Sequence, residues 1–280
     1  MHHAAGNGHE QTNMWNGAAG CAWVDEAALL DRIYQPFEDL LVEAAAARRA
    51  ARILDVGCGT GATTVALARL PAAKDGCIGV DVSAPMIAAA RARAEREGSP
   101  ARFVCADAQA YAFEPAAFDL IVSRFGVMFF DDSAAAFENL RRAAASNAEL
   151  RFIAWRSAEE NPFMTAAERA AAAVLPDLPV RRPDAPGQFA FGDRLRVSRI
   201  LETSGWTDID VQPIDVACRF PADALVRYLT RMGPVGRILQ TLDEPTRSHI
   251  VDVVRPAFDP YVHGAEVRFD AACWMVRARR

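Results

Sequence analysis

Short apolar runs alternate with stretches of helical spacing through the first half of the chain. Apolar positions recur at helical spacing from Val24 to Leu41, and Pro36 within that stretch predicts two helices or a kink. Strands are predicted at residues 52–56, 77–81, 101–105, 118–123 and 149–155, with helices that include 62–68, 85–97 and 134–145. Strands that alternate with helices indicate a parallel sheet covered on both faces, with right-handed crossovers.

The alternation changes after residue 156. Prolines and an Ala-rich stretch fill residues 161–192, and a helix is predicted over 193–204, ended by Gly205. Strand-like residues 208–220, helical residues 222–256 and a final strand at 267–276 follow. These late segments predict a substrate-covering insertion between the last two strands. Residues 1–13 are polar and aperiodic, which predicts a mobile tail.

Composition and charge narrow the class of protein. Hydrophobic residues make up 51% of the chain and the net charge is −5, so a sizeable core is expected and a nucleic-acid partner is not. No window approaches the run of about 18 apolar residues that a membrane helix needs. A basic segment followed by an apolar run is also missing from the N-terminus, so we expect a cytoplasmic protein.

Lysine and cysteine usage excludes several kinds of site. Lys74 is the one lysine and lies in a predicted surface turn, which argues against Schiff-base chemistry and against a P-loop. The cysteines lie far apart, without C-x-x-C spacing, so neither a structural metal nor a disulfide framework is expected. We expect buried free thiols in a reducing compartment at all six positions: Cys21, Cys58, Cys77, Cys105, Cys218 and Cys273.

Glycines and acidic residues end the first three strands. Residues 55–61 have the sequence Asp-Val-Gly-Cys-Gly-Thr-Gly, whose glycines let a ligand approach the backbone beside a helix N-terminus. Asp81 ends the second strand, 20 residues after Gly61, a separation typical of a carboxylate that binds a ribose diol. Asp107 follows the third strand, where it would suit the exocyclic amine of a nucleoside.

The glycine loop also fits a dinucleotide-binding fingerprint through Gly57, Gly59 and Ala62. Asp55 favours a different ligand, because a carboxylate there repels a pyrophosphate but suits an ammonium or sulfonium group. Three acidic strand ends around one loop therefore favour a cationic nucleoside over an anionic dinucleotide.

Several segments resemble the successive motifs of class I S-adenosylmethionine-dependent methyltransferases: Ile53–Gly61, Gly79–Asp81, Asp107–Ala108 and Phe118–Val122. The resemblance covers roughly residues 50–156 and implies a Rossmann-like α/β fold, a three-layer α/β/α sandwich. Its sheet would have seven mostly parallel strands, with the last strand antiparallel and inserted between its neighbours. The implied organisation is a mobile tail and lid segment at 1–24 and one domain at 25–280. That domain would have its core at 45–156 and helical insertions at about 157–200 and 221–262.

The same resemblance implies S-adenosylmethionine as the cofactor and S-adenosylhomocysteine as the product. The glycine loop would lie under the methionine part, Asp81 would hold the ribose, and Asp107 with Ala108 would meet the adenine. Val82 and Met86 would pack on the adenine faces, whereas residues 123–125 would border the sulfonium and the substrate. The expected cofactor-binding residues are Asp55, Gly57, Cys58, Gly59, Gly61, Asp81, Val82, Met86, Asp107, Ala108 and Ser123.

The turn before the fifth strand departs from the family pattern. Relatives usually carry a Pro-Gly-Gly-like turn there, and here Asn147 is expected to adopt the left-handed conformation instead. Residues 14–17 and 20–23, which contain Trp15 and Trp23, resemble the leading segment of a bacterial small-molecule branch. That segment would fold over the mouth of the cofactor site.

The sequence contains no residue that is clearly a catalytic acid or base, and Arg124 and His263 are the two candidates. Arg124 follows an apolar strand, where it would bind a carboxylate of cofactor or substrate, or else form a surface ion pair. His263 is a candidate base near the rim or an ordinary loop histidine, whereas His249 has the spacing of an exposed helix face.

Methyl transfer is nevertheless compatible with the missing acid–base pair, because aligning nucleophile, methyl carbon and sulfur supplies much of the rate. The sequence thus predicts methyl transfer to an oxygen, nitrogen or carbon nucleophile of a small molecule. An NAD(P)-dependent oxidoreductase and a non-catalytic binding module stay open as alternatives.

Overall fold

The computed structural model describes residues 8–74, 76–182 and 185–280. Within these ranges one sheet contains β1 (Arg52–Val56), β2 (Gly76–Asp81), β3 (Arg102–Cys105), β4 (Phe118–Arg124), β5 (Ala144–Trp155), β6 (Thr207–Pro221), β7 (Val262–His263) and β8 (Glu266–Arg279). The helices are α1 (Gly8–Asn16), α2 (Ala18–Asp25), α3 (Ala27–Arg48), α4 (Ala62–Ala68), α5 (Ala84–Arg96), α6 (Ser133–Ala143), α7 (Pro162–Ala171), α8 (Arg194–Thr203), α9 (Leu225–Arg231), α10 (Gly233–Leu239) and α11 (Glu244–Val254).

The strands are ordered β3-β2-β1-β4-β5-β8-β6. The first five of these pair in parallel, and β8 pairs antiparallel with both β5 and β6. This confirms the predicted fold, a mostly parallel sheet whose last strand is inserted between its neighbours. The two-residue β7, which pairs with β8 in a hairpin, is an additional strand that the pattern did not indicate.

Strand order reverses between β1 and β4. From β1 the chain proceeds outward through β2 and β3, then returns to place β4 on the other side of β1. The loops that follow β1 and β4 leave the sheet in diverging directions at such a reversal, and a crevice opens at the carboxyl ends of the strands. The fold therefore puts the glycine loop at the position where open α/β sheets bind ligands.

Helix α3 runs through Pro36 without interruption, so the predicted division into two helices is wrong. A proline inside a helix removes one backbone hydrogen bond and crowds the preceding turn. The side chains of Ile33, Phe37 and Leu41 are completely buried on one face of this helix. Their burial keeps the segment in a single helix, because tertiary packing outweighs the local preference of one residue.

The N-terminal segment also differs from the prediction. Residues 1–7 of the expected mobile tail lie outside the described residues, but residues 8–13 belong to α1 rather than to an irregular tail. The hydroxyl of Ser83 donates to the Trp15 carbonyl oxygen at 2.6 Å, and the Asn16 amide donates to the Val82 carbonyl oxygen at 3.0 Å. These bonds attach α1 to the loop between β2 and α5.

The region predicted to cover the substrate forms short helices. α9, α10 and α11 replace the single helical stretch expected at 222–256, and α7 packs against α10 and α11. The ring of Phe163 on α7 stacks on Phe269 of β8, with centroids 3.9 Å apart. That contact ties the helical cover to the antiparallel part of the sheet.

Smaller expectations are confirmed at individual residues. Asn147 has φ 64°, the left-handed conformation predicted for the turn before the last part of β5. Lys74 is exposed in a turn, and all six cysteines are free, although Cys21 and Cys105 are exposed rather than buried. Within the described ranges no helix has both the length and the apolar character needed to cross a bilayer.

Candidate functional site

The loop after β1 crosses the end of β2 and then meets the turn after β4. The backbone N–H groups of Gly57 and Cys58 both donate to the Val80 carbonyl oxygen, at 2.8 and 3.1 Å. Gly57 has φ 68°, and a Cβ built on it would lie 2.5 Å from the Cα of Gly126. Two glycines are therefore required here, because the backbones of the two turns touch.

Ser123 fixes this contact from inside the protein. Its buried hydroxyl donates to the Val56 carbonyl oxygen at 2.7 Å and accepts from the N–H groups of Gly126 and Val127, at 3.1 and 3.3 Å. The side chain has no exposed surface and lines no cavity described below. Ser123 thus positions the turn after β4 from inside the protein, and its place beside the cofactor stays a prediction.

Gly61 also has a packing role. A Cβ at this residue would lie 2.8 Å from the Cβ of Ala90 and 2.9 Å from the ring of Phe103. The glycine lets the start of α4 pack closely against α5 and β3, and it lines neither cavity. Gly61 shapes the glycine loop, and its predicted contact with the cofactor stays a prediction.

A cavity of about 380 Å³, here called the main cavity, opens at the carboxyl ends of β1 to β4 and extends beneath α7, α9 and α10. A second cavity of about 40 Å³, the side cavity, adjoins the glycine loop. Of the predicted cofactor residues, the main cavity is lined by Gly57, Gly59, Asp81, Val82, Met86, Asp107 and Ala108. The structure thus gathers seven residues from three separate motifs around one space.

Asp81 is anchored at the centre of this group. Its Oδ2 accepts from the N–H of Gly59 and its Oδ1 from the N–H of Ser83, both at 2.9 Å. Burial raises the pKa of its carboxyl group, while these backbone hydrogen bonds oppose the shift. Each carboxylate oxygen keeps a free lone pair, so Asp81 has the capacity to accept from two neighbouring hydroxyl groups.

The loop after β3 supplies a second acidic position. The Asp107 carboxylate accepts from the N–H of Gln109 at 2.9 Å, and the Asn139 amide holds the loop by donating to the Ala108 carbonyl oxygen at 2.9 Å. Asp131 also lines this end of the main cavity, and burial together with the charge of Asp107 raises its pKa. We call Asp81, Asp107 and Asp131 the acidic end of the main cavity.

Asp55 and Cys58 line only the side cavity, which shares Gly57 and Gly59 with the main one. Asp55 is 1% exposed and accepts a 2.6 Å hydrogen bond from the Thr64 hydroxyl. Burial raises its pKa from 3.8 to about 6, and the bond from Thr64 opposes the shift. Burial also raises the pKa of the Cys58 thiol well above its ordinary value, so this side chain is a neutral packing group.

The raised pKa of Asp55 predicts a pH-dependent stability difference between the protein and its Asp55→Asn variant. The folded state binds the Asp55 proton more tightly than the unfolded state does. The free energy of unfolding of the wild-type protein therefore falls as pH rises from about 4 to about 6. The amide of the variant does not ionise. The free energy of unfolding of the variant should therefore rise relative to that of the wild type by up to about 3 kcal/mol over this interval.

Urea unfolding of both proteins at intervals from pH 4 to pH 7 measures this difference directly. Stability curves that stay parallel through the whole interval would contradict the raised pKa, whatever the absolute stabilities are.

Arg124 borders both cavities at the end of β4. Its Nη1 donates to the Tyr34 carbonyl oxygen at 3.3 Å, and its guanidinium carbon lies 5.8 Å from the centroid of the Tyr34 ring. Among the ion pairs of the described residues none includes Arg124, so the alternative of a surface ion pair is wrong. The guanidinium faces the cavities with donors to spare.

Phe125 adopts an unusual conformation beside it. Its φ is 66°, its N–H donates to the Ile153 carbonyl oxygen at 3.0 Å, and its ring stacks on Trp155 with centroids 4.7 Å apart. A left-handed conformation costs a non-glycine residue about 1–2 kcal/mol. Strain of this kind concentrates at functional sites, and here it directs an aromatic ring to the wall of the main cavity.

His249 and His263 line neither cavity. His263 is exposed in the β7–β8 hairpin and His249 is exposed on α11. The candidate base His263 is therefore wrong for chemistry in the main cavity, whereas the exposed helix face expected for His249 is confirmed.

The N-terminal helices form one wall of the main cavity. Met14, Trp15 and Trp23 line it, and the Trp15 ring meets Phe129 edge to face with centroids 5.0 Å apart. Helix α2 is joined to α9 by two ion pairs, Glu26 to Arg227 at 2.8 Å and Asp25 to Arg231 at 3.0 Å. A covering position for this segment, as the family resemblance implied, agrees with this geometry.

Sequence reasoning missed the residues at the far end of the main cavity. There, α7, the loop after it, α9 and α10 contribute Glu168, Arg181, Arg231 and Arg237. These residues belong to no local motif, and only the approach of four separate segments makes them neighbours. Tyr34 and Trp155, from α3 and β5, were missed for the same reason.

The part of the chain that contains the ends of β1 to β4 is similar to a known family of domains. Residues 53–147 match the family described as a methyltransferase domain, so the predicted resemblance is confirmed over this region. An uncharacterised protein of Mycobacterium tuberculosis is 31% identical over 179 residues, which cover 63% of this chain and 61% of that one. The chain thus spans about three-fifths of the length of that relative.

Two further comparisons concern an enzyme and a fold. The demethylmenaquinone methyltransferase of Thermus thermophilus is 40% identical over 100 residues, covering 35% of this chain and 44% of the enzyme. The crystal structure of the YcgJ protein of Bacillus subtilis superposes with a TM-score of 0.57 and 17% identity, covering 87% of this chain and 97% of that one. The structural likeness extends the shared fold well beyond the matched domain.

Proposed function

We propose that this chain, which carries a methyltransferase domain at residues 53–147, transfers the methyl group of S-adenosylmethionine to a small-molecule acceptor. In this reaction the acceptor's nucleophilic atom bonds to the methyl carbon while the carbon–sulfur bond breaks. S-adenosylhomocysteine leaves as a neutral thioether, and a proton on the nucleophile passes to solvent or to a base. The observation that carries the proposal is the anchored Asp81 carboxylate beside an open glycine loop, facing a cavity with room for a second molecule.

The residues around the glycine loop fit this cofactor. Asp81 would accept from the two ribose hydroxyls, and Asp107 would accept from the adenine amine. Met86 and Val82 supply apolar surface for a flat base, and the Gly57–Gly59 backbone leaves room for a chain to pass. Bound S-adenosylmethionine would supply an electrophilic methyl group on a positively charged sulfur.

The chain's own contribution to the reaction is alignment and exclusion of water. Phe125, Trp155 and Tyr34 form a rigid aromatic wall beside the glycine loop, and Trp15 covers the opposite side. Burial raises the pKa of Tyr34 well above its ordinary value, so its phenol stays protonated and neutral. Holding the two reacting atoms in line in such a site supplies about 7–11 kcal/mol where the alignment is good.

The acidic end of the main cavity weighs against the nicotinamide alternative. Asp107 and Asp131 lie close enough for their charges to interact, and Asp81 adds a third carboxylate. An anionic pyrophosphate placed here would be repelled, whereas a cationic nucleoside would be attracted. The depth of the cavity beneath α7 and α10 supports a second substrate and hence catalysis over simple binding.

Calorimetric titration tests the proposal. We expect S-adenosylmethionine and S-adenosylhomocysteine to bind with micromolar affinity, and NAD and NADP to give no heat at the same concentrations. Binding of the nicotinamide cofactors alone would overturn the proposal in favour of a redox enzyme. Binding of none of the four ligands would favour a non-catalytic module.

We also propose that the protein works in a reducing compartment such as the cytoplasm. All six cysteines are free, and Cys21 and Cys105 are exposed to oxidation on the surface. Exposed free thiols persist most readily where glutathione and thioredoxin keep them reduced.

A further inference from the structure

Charge is distributed unevenly along the main cavity. Its acidic end and Arg124 lie at the strand ends, whereas three further arginines line the far end under α7, α9 and α10. We call this far part, formed by Arg181, Arg231, Arg237 and Glu168, the arginine end. A cavity whose two ends carry opposite charge orients a ligand, or a pair of ligands, of matching polarity.

Two of the three arginines are already paired. The Arg181 guanidinium holds Glu168 in a two-point contact, with Nε donating to Oε2 at 2.8 Å and Nη2 donating to Oε1. Arg231 pairs with Asp25 of α2 at 3.0 Å. Both carboxylate oxygens of Glu168 accept from Arg181, and among the described residues neither accepts from a second guanidinium.

Arg237 is the exception. Arg237 is half-buried and lines the main cavity, and among the described residues it forms no hydrogen bond and no ion pair. Burial lowers its pKa, Glu168 raises it and Arg181 lowers it further, so the three charged groups lie within electrostatic reach of one another. A guanidinium remains charged at neutral pH in any protein environment, and a partly desolvated one is stabilised by an anion.

Apolar side chains line the main cavity on the elements next to α10. They are Phe163 and Met164 of α7 and Tyr228 and Met232 of and after α9, and α7 and α9 both pack against α10. The Tyr228 hydroxyl donates to the Met164 sulfur at 3.6 Å, and burial raises its pKa, so the phenol stays neutral. A ligand bound here meets apolar surface over most of its area and one unpaired cation.

We propose that the acceptor substrate is an amphipathic anion, with an apolar body against Phe163 and Met164 and a carboxylate or phosphate group bound by Arg237. This inference rests on the proposed function, because it identifies the class of molecule that enters the far end of the same cavity. The anion points away from the acidic end, so the opposite, nucleophilic end of the molecule faces the methyl donor. Arg237 acts as a specificity-determining residue, and its planar fork suits either oxyanion.

The test uses four probes that share one apolar body and differ in the head group: octanoate, octyl phosphate, octanol and octylammonium. Each is titrated calorimetrically into the protein with and without S-adenosylhomocysteine. We expect the two anions to bind at least about 10-fold more tightly than octanol, and octylammonium to bind most weakly. The stronger of the two anions identifies which oxyanion the site prefers.

Arg237→Met tests the assignment to this residue, since methionine keeps the apolar stem and removes the charge. The variant should bind octanol as before and lose the preference for the anions. Arg199→Met, on the exposed face of α8, makes the same replacement outside the cavity and should keep the preference. Arg237→Lys should retain part of it, which separates a charge effect from a change in shape.

The outcomes distinguish failure of this inference from failure of the proposed function. If S-adenosylhomocysteine binds but the four probes bind equally, the anionic acceptor is wrong and the methyltransferase function stands. If S-adenosylhomocysteine does not bind, the proposed function fails, and the titrations without it still decide the anion preference. An anion preference that survives in Arg237→Met would overturn the role of this arginine.

Discussion

Gly57→Ala is expected to destabilise the folded protein by about 3 kcal/mol or more and to abolish detectable cofactor binding. Two effects add at this position. The backbone has φ 68°, which alanine adopts only with strain, and the new methyl group would lie 2.5 Å from the Cα of Gly126. Since the obstacle is backbone held by Ser123, neither turn is free to move aside.

Gly98→Ala separates the two effects. Gly98 has a similar φ of 60°, but a Cβ there meets nothing within 4 Å. This control should lose only the conformational part, about 1 kcal/mol, and should bind S-adenosylhomocysteine like the wild type. Urea unfolding and calorimetry on both variants give the measurement. Equal losses of stability in the two variants would contradict the backbone contact between the turns.

Asp81→Asn is expected to weaken S-adenosylmethionine binding by about 10- to 100-fold, because it replaces charge-assisted hydrogen bonds to the ribose with neutral ones. The amide also presents an N–H₂ group to one of two backbone donors, Gly59 N–H or Ser83 N–H, each of which now points at a carboxylate oxygen. The shape of the glycine loop should therefore change along with the charge. Calorimetric titration measures the affinity.

Asp119→Asn is the matched control for this variant. Asp119 also uses its carboxylate to bind backbone N–H groups, those of Ala51 and Arg52 at 3.0 and 3.1 Å, but at the opposite end of β1 from the cavities. We expect it to lose stability by about 1 kcal/mol while cofactor affinity stays unchanged. Wild-type affinity in Asp81→Asn would remove this residue from the ribose position.

The shared fold does not by itself determine the reaction. A sheet of this order hosts many activities, and the functional argument depends on the residues that its strand ends bring together. In this chain those residues divide one cavity into an acidic end beside the glycine loop and an arginine end beneath the helical cover. Under the proposed function, the first end would bind the cofactor and the second end would bind the acceptor.

The sequence by itself determined the alternation of strands and helices, the glycine loop and the acidic residues after β2 and β3. These features depend on neighbours in the chain: apolar periodicity sets the elements, and the end of a strand fixes where the next residues emerge. Asn147 was predictable for the same reason, since its left-handed conformation is a property of one residue in one turn.

Tertiary structure alone decided which residues line the main cavity. Ser123 and Gly61 belong to the correct motifs, yet packing turns the first inward and places the second against Ala90. Pro36 stays inside one helix because the core holds both sides of it. Arg237 becomes a neighbour of Glu168 and Phe163 only when α7 and α10 meet. Contacts between segments distant in sequence leave no local pattern, because the energy that forms them is the burial of whole surfaces.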